Sequence, residues 1–451
     1  MKHKIVSLLL TLVALMATSS VMAQTLNTAY FMKDSYFRTN LNPALTTSRG
    51  YVAIPILSGI GLEANSNFLS VDNFFYQTDG QVVTALHSSV SADEFLSRLP
   101  NVGKMSLSAN LNIFGAGFYH KKMFWNFGVN LREQGDLALS KDIFAVFKTL
   151  GNGSYSLSES ALSSNTYSEI YVGTTYPILD WLTVGGRVKL LVGILNASAQ
   201  FDEMSASVTP ENIYGNLRGA ININAPIIAL EGVMPGDVLS FSEVMNARGA
   251  MRLGSMGAAI DLGTEMSFLN NTLRVSAAVT DLGFIKWSKK TSAVADLSGK
   301  FYFNGMNFAT AEPDYGYESS MTIAEATTTG YTTMLNCSLN IGAEYNILND
   351  RIGFGLLSHT EFCNTAAYSE LTISANFRPL KWLSGTISHT LLAGTKAGVF
   401  GLALNIHTRG FNLFLGTDYI DTSYVKYKSL SVPRRAKDIN AYIGIGFNIG
   451  K

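Results

Sequence analysis

The ionisable residues that invite a chemical reading lie on segments where apolar and polar side chains alternate. Arg187 and Lys189 are two apart and fall opposite the apolar set Leu182, Val184, Val188, Leu190 and Val192. Asp261 and Glu265 alternate with Ile260, Leu262 and Met266, and Glu344 takes the polar face of its own segment. Side chains two apart on a strand share a face, so these five charges would line the lumen of a curved wall. There they would orient the head group of an amphipathic solute or, more commonly, neutralise one another in a packed interior. Asp281 breaks the alternation. Leu273, Val275, Ala277 and Val279 put it on the apolar face, where an unpaired carboxylate is costly. A kink at Asp281, Leu282 and Gly283 would turn it inward, with or without a lateral gap in the wall.

Catalytic chemistry finds little support. His87, His120, His359, His389 and His407 show no metal spacing, and the Gly-Xaa-Gly phrases sit on strands with no helix after them to receive a phosphate. No enzyme activity, metal or cofactor is expected, although a dyad spread over two strands would be invisible in sequence. Formal charge is balanced, 33 basic against 33 acidic residues, which gives nucleic acid nothing to bind. With Ile347 opposite Ile352 in a hairpin, Cys337 falls opposite Phe362 on the apolar face and Cys363 points the other way. Both thiols are therefore expected to be free.

The elements that would position these residues are strands. Hydrophobic residues make up 47% and charged ones 15% of the 451, more apolar than an ordinary soluble chain. The apolar content is spread by alternation: Met105, Leu107, Ala109, Leu111 and Ile113 are separated by Ser106, Ser108, Asn110 and Asn112. Fourteen such segments are expected, near 51–64, 104–119, 123–134, 167–176, 182–197, 256–268, 272–287, 333–347, 351–361, 369–378, 382–392, 397–407, 411–421 and 439–449. From the second onward tight turns alternate with mostly long loops (65–103, 135–166, 198–255, 288–332 and 422–438). This predicts an all-β, 14-stranded antiparallel up-and-down transmembrane β-barrel. Trp125, Trp181 and Trp382 lie beside tight turns, at headgroup level. The last segment would pair with the first and remove the open edge. Ser91 with Glu94, and Ser140, are N-cap candidates for partly helical extracellular loops. Their apolar faces would pack together as a lid or form a lipid-receiving mouth.

At the N-terminus, Lys2 and Lys4 precede an apolar run from Ile5 to Met16, and Val21-Met22-Ala23 offers a cleavage site before Gln24. That is the pattern of an export signal over residues 1–23, too short to span a bilayer. No cysteine follows the cleavage point, which argues against a lipoprotein anchor. Removal of Lys2 and Lys4 leaves 31 basic and 33 acidic residues.

Leu41-Asn42-Pro43-Ala44-Leu45, placed just before the first expected strand, resembles the junction in FadL-type outer-membrane transporters, where an N-terminal plug ends and a 14-strand barrel begins. Val279-Thr280-Asp281-Leu282-Gly283-Phe284-Ile285-Lys286-Trp287, together with Asn42 to Leu45, is similar to an uncharacterised Gram-negative barrel family carrying a domain-of-unknown-function label. The resemblance implies a plug over residues 24–50, with Tyr30, Phe31, Met32, Tyr36 and Phe37 as its apolar contacts beside Asn42, Pro43 and Ala44. The barrel would then occupy 51–451. It also implies an outer-membrane location among lipid and passive passage of small hydrophobic molecules. The alternative is a non-transporting scaffold for a secretion or surface-attachment partner.

Overall fold

The computed structural model describes residues 26–54, 59–78, 81–149, 153–208, 213–225, 254–303, 306–307, 312–313, 321–323, 329–364, 367–392, 398–420, 424–427, 430–433 and 439–450. The expected export signal lies outside them. Fourteen antiparallel staves form the wall. In chain order they are β1 (Gly50–Ala53 and Ile60–Ser66), β2 (Val102–His120), β3 (Met123–Ser140), β4 (Ala161–Leu179), β5 (Leu182–Val208), β6 (Met256–Phe268) and β7 (Leu273–Trp287). They continue with β8 (Tyr331–Met334 and Cys337–Ile347), β9 (Ile352–Phe362), β10 (Ala367–Leu380), β11 (Leu383–Leu392), β12 (Gly398–His407), β13 (Asn412–Ile420) and β14 (Ile439–Ile449). β14 pairs with β1 from Gly50–Ile449 through Ile60–Ile443, so the sheet closes on itself.

Alternation explains which way each stave faces. Val188 (67% exposed), Val172 (54%) and Phe354 (53%) point out to lipid, while Asn340, Asn405 and Thr390 are fully buried inside. Trp181 and Trp382 are exposed beside the tight turns, and Trp181 stacks on Phe268. A sheet that is apolar outside and has every backbone group paired is what hydrocarbon tolerates. Two of the turns share an unusual backbone. Leu269, Asn270 and Asn271, like Leu348, Asn349 and Asp350, run through three successive residues at positive φ. Asn and Asp enter that region at the lowest cost of any residue with a side chain.

Two features depart from the sequence reading. Pro177 belongs to β4, which continues to Leu179, so the turn is shorter than expected. The loop 198–255 is partly strand: β5 runs on to Val208, pairs with Ile213–Asn224, and that strand pairs in turn with Ser292–Phe303. Alternation is present here too, Ala293, Ala295, Leu297, Phe301 and Phe303 against Ser292, Asp296, Ser298 and Lys300, but alanine and glycine weaken its contrast. The apolar loop faces pack together, as the first of the two alternatives expected. Ser91 Oγ accepts the Glu94 N–H at 3.1 Å and caps Ala92–Ser97, and Phe95, Phe68, Tyr76 and Leu99 form a small core with Phe144 of the helix Lys141–Thr149. Met105 of β2 and Leu139 of β3 pack against it. Both point outward, so this core lies on the outer side of the wall and covers apolar surface that lipid does not reach.

The cysteines are free, and Cys337 stands opposite Phe362. Alkylating the unreduced protein is expected to add two labels by mass. A mass showing none would mean a disulfide and a slipped register between β8 and β9.

Candidate functional site: the occupied lumen

Residues 26–49 run inside the barrel. Tyr30, Phe31, Met32, Tyr36 and Phe37 are 0–7% exposed, and burying each is worth roughly 1.5–3 kcal/mol. They fit because the wall facing them carries glycine. A Cβ on Gly444 would collide with the Phe37 ring, and one on Gly185 with the Pro43 carbonyl. The Asn42-Pro43-Ala44 junction has a definite local role. Asn42 Oδ1 accepts the Ala44 N–H at 2.9 Å and its Nδ2 donates to Thr264 O at 3.2 Å, while Thr175 Oγ1 donates to Pro43 O at 2.6 Å.

Two ionic latches hold this segment and the wall together. In the first, Arg132, Arg187 and Lys189 meet Glu169, Asp261 and Asp281, three cations against three anions, with side chains 0–7% exposed. Arg132 donates to Glu169 at 2.7 Å and Asp281 at 2.9 Å, Lys189 to Asp281 at 2.5 Å and Asp261 at 2.9 Å. Arg187 lies over the Tyr171 ring and donates to Thr39 O and Asn40 Oδ1, both at 3.1 Å, which ties the inner segment to β5. The second latch lies at the short-turn end. Arg378 donates to Glu344 at 2.5 Å and to Phe31 O at 2.9 Å, and Lys33 pairs with Asp350.

Of the five charges read from sequence, Arg187, Lys189 and Asp261 therefore meet, Glu344 serves the second latch, and Glu265 sits 4.0 Å from Arg38 of the inner segment. Arg132, Glu169 and Arg378 were not singled out. Parity would have found Arg132 and Glu169, since each shares a face with polar or aromatic inward residues of its stave. At Asp281 the backbone has φ +61° and the β6–β7 register shifts. Its N–H donates to Asp261 Oδ1 at 2.8 Å. Pairing continues past Gly283 on both sides, through Ile260–Leu282 and through the 3.0 Å bond from Leu335 N to Gly283 O, then Phe284–Met334. The lateral gap considered for this kink is absent, because the bulge re-aims one carboxylate without parting the strands.

The larger irregularity is in β1. Its pairing with β2 steps from Ala53–Gly115 to Ile60–Leu111 and its pairing with β14 from Ala53–Gly446 to Ile60–Ile443, so its two halves are offset along both neighbours. Phe37 lies against Gly59 and Gly444 at this point. Beside it is a cavity of ≈ 10 Å³, lined by Tyr36, Phe37, Tyr51 and Asn110 among others, room for about one water. At the short-turn end, below the inner segment, opens a cleft of ≈ 700 Å³ lined by residues including Arg49, Trp382 and His407. Among the described residues no group of three or more His, Cys, Asp or Glu is placed to hold a metal ion, and no helix is long and apolar enough to cross a membrane.

A closed fourteen-stave barrel with its own N-terminal segment latched inside is the class of protein that these features define. The chain belongs to the family of unknown function DUF5723, whose model matches residues 43–418. No curated protein matches it significantly in sequence. Among solved structures it is similar to the toluene transporter TbuX of Ralstonia pickettii, at 10% identity and TM-score 0.43 over 93% of this chain and 95% of that one. The toluene transporter TodX of P. putida matches at 10% identity and TM-score 0.37, covering 96% of each chain. The monoaromatic hydrocarbon channel CymD matches at 7% identity and TM-score 0.36, covering 96% of this chain and 94% of that one.

Proposed function

We propose that this protein is an outer-membrane channel that passes small hydrophobic molecules passively, with the segment 24–50 acting as a plug. The offset in pairing between the two halves of β1, 50–53 and 60–66, supports the reading: Phe37 lies against Gly59 and Gly444 there, and a short shift of the plug would join the lumen to the lipid side of the wall. The packed interior means that passage requires such a shift. A Cβ on Gly401 meets Thr28 Oγ1, so cysteines at both positions, in a background lacking Cys337 and Cys363, would tether the plug to β12. Cells lacking the gene are expected to take up a panel of radiolabelled aromatic hydrocarbons and fatty acids more slowly than their parent. The Thr28→Cys, Gly401→Cys protein should restore uptake only when reduced. Equal uptake with and without the gene would sink the transport reading.

One observation favours the scaffold reading in its place. β5 from Asn196 to Val208, Ile213–Asn224 and Ser292–Phe303 pair as added sheet on the wall, a platform that transport does not require. Unchanged uptake together with a co-purifying surface protein would support it.

A further inference from the structure

None of the residues that line the ≈ 700 Å³ cleft at the short-turn end belongs to either latch. Its walls come from three places: Asp34 and Arg49 from the luminal segment, Lys381 and Trp382 from the turn between β10 and β11, and His407 and Arg409 from the end of β12 and the turn after it. Hydrogen bonds tie these pieces together. His407 N donates to Trp382 O at 2.8 Å, Asn448 Nδ2 of β14 donates to Thr408 O at 2.7 Å, and Arg49 Nη1 donates to Arg409 O at 3.3 Å.

Charge in the cleft does not balance. Asp34 is the acid among the lining residues, and it is already engaged: Oδ1 accepts the Ser48 N–H at 2.8 Å, and Oδ2 lies 3.4 Å from His407 Nε2. Arg49, Lys381 and Arg409 remain, and among the described residues none of the three has a carboxylate partner; Arg49 reaches only a carbonyl. Three cations brought to one space without an acid favour an anion there, and guanidinium forks suit a phosphate. The volume is far larger than an inorganic ion needs and lies in the range of sites that take a whole small molecule. Trp382, 46% exposed, adds an indole of the kind found at headgroup level.

We propose that this cleft binds the phosphate of an anionic phospholipid from the leaflet on the short-turn side. Basic pockets at membrane interfaces hold such head groups. The phosphate lies among Arg49, Lys381 and Arg409, and the acyl chains leave past Trp382. Because Arg49 belongs to the luminal segment and the other two cations to the wall, the bound lipid ties the end of that segment to two turns. The inference rests on the barrel standing in a membrane and not on the transport reading.

The folded barrel, purified in a neutral detergent and checked by its heat-dependent gel mobility, is titrated by calorimetry with short-chain phosphatidylglycerol, with phosphatidylcholine of the same chain length and with inorganic phosphate. Phosphatidylglycerol is expected to bind at least roughly tenfold more tightly than either of the others. Lys381 and Arg409 are exposed, so Lys381→Gln and Arg409→Gln should keep the folded gel mobility, and each should weaken binding by roughly fivefold. Lys122→Gln, in another short turn and outside the cleft, should leave binding unchanged. Inorganic phosphate binding as tightly would make the ligand a free ion and overturn the lipid. Equal binding of phosphatidylcholine, an equal loss from Lys122→Gln, or no binding at all would overturn the proposal as well.

Discussion

Replacing Asp281 with alanine is expected to lower the unfolding free energy of the barrel by about 3–5 kcal/mol, the cost of leaving buried partners with uncompensated charge. Arg132 and Lys189 both donate to this carboxylate at 2.9 Å or less, and its removal leaves three cations against two anions in an interior with little water. Backbone strain contributes as well, since φ at Asp281 is +61° and alanine is disfavoured there by roughly 1–2 kcal/mol, whereas asparagine tolerates it. Asp281→Asn thus separates the two effects: it keeps the backbone and loses the charge. Adding Lys189→Met to Asp281→Ala should recover part of the loss by restoring balance. Urea unfolding in detergent, followed by tryptophan fluorescence, provides the measurement. A loss below about 1 kcal/mol for Asp281→Ala, the level of a surface pair, would show that the latch carries no such load.

Deleting residues 26–47 is expected to turn a silent protein into a conducting one in planar bilayers. The luminal segment is what fills the barrel: Phe37 abuts Gly444, Phe31 abuts Gly355 and Pro43 abuts Gly185, and the cavity left beside it is ≈ 10 Å³. Removal exposes Arg187 and Arg378, whose contacts to Thr39 O and Phe31 O vanish, and water would hydrate both groups. Steady ion current from the deleted form, with none from the intact protein, is the expected record. Continued silence would mean that the loops or collapsed luminal side chains close the barrel without the segment.

Most of the wall was legible because lipid imposes alternation on every stave it touches. Leu335 to Tyr345 and Leu402 to Ile406 could be placed from period alone. The signal failed where its contrast is weak. Ser292 to Phe303 alternates, but through alanines and a glycine that blur its apolar face, and Pro177 looks like a turn residue because its use at the end of a stave leaves no mark in the pattern. The site was half readable. Parity sends Arg187, Lys189 and Asp261 inward, but that they meet Arg132, Glu169 and a re-aimed Asp281 depends on which staves curve past one another. The outward packing of Met105 and Leu139 was hidden for a related reason, since an apolar side chain covered by a loop reads the same as one covered by lipid.

The seam between β1 and β14 joins the two ends of the barrel's chain, and the luminal segment leads directly into β1. A strap attached to the first plank of a cask can be inside the finished vessel without threading only if it is laid in before the last plank is set. Laid in that way, the amino-terminal stretch is tucked in while the sheet is still open, and a rigid tag there is expected to stall hoop closure before it could affect any later step.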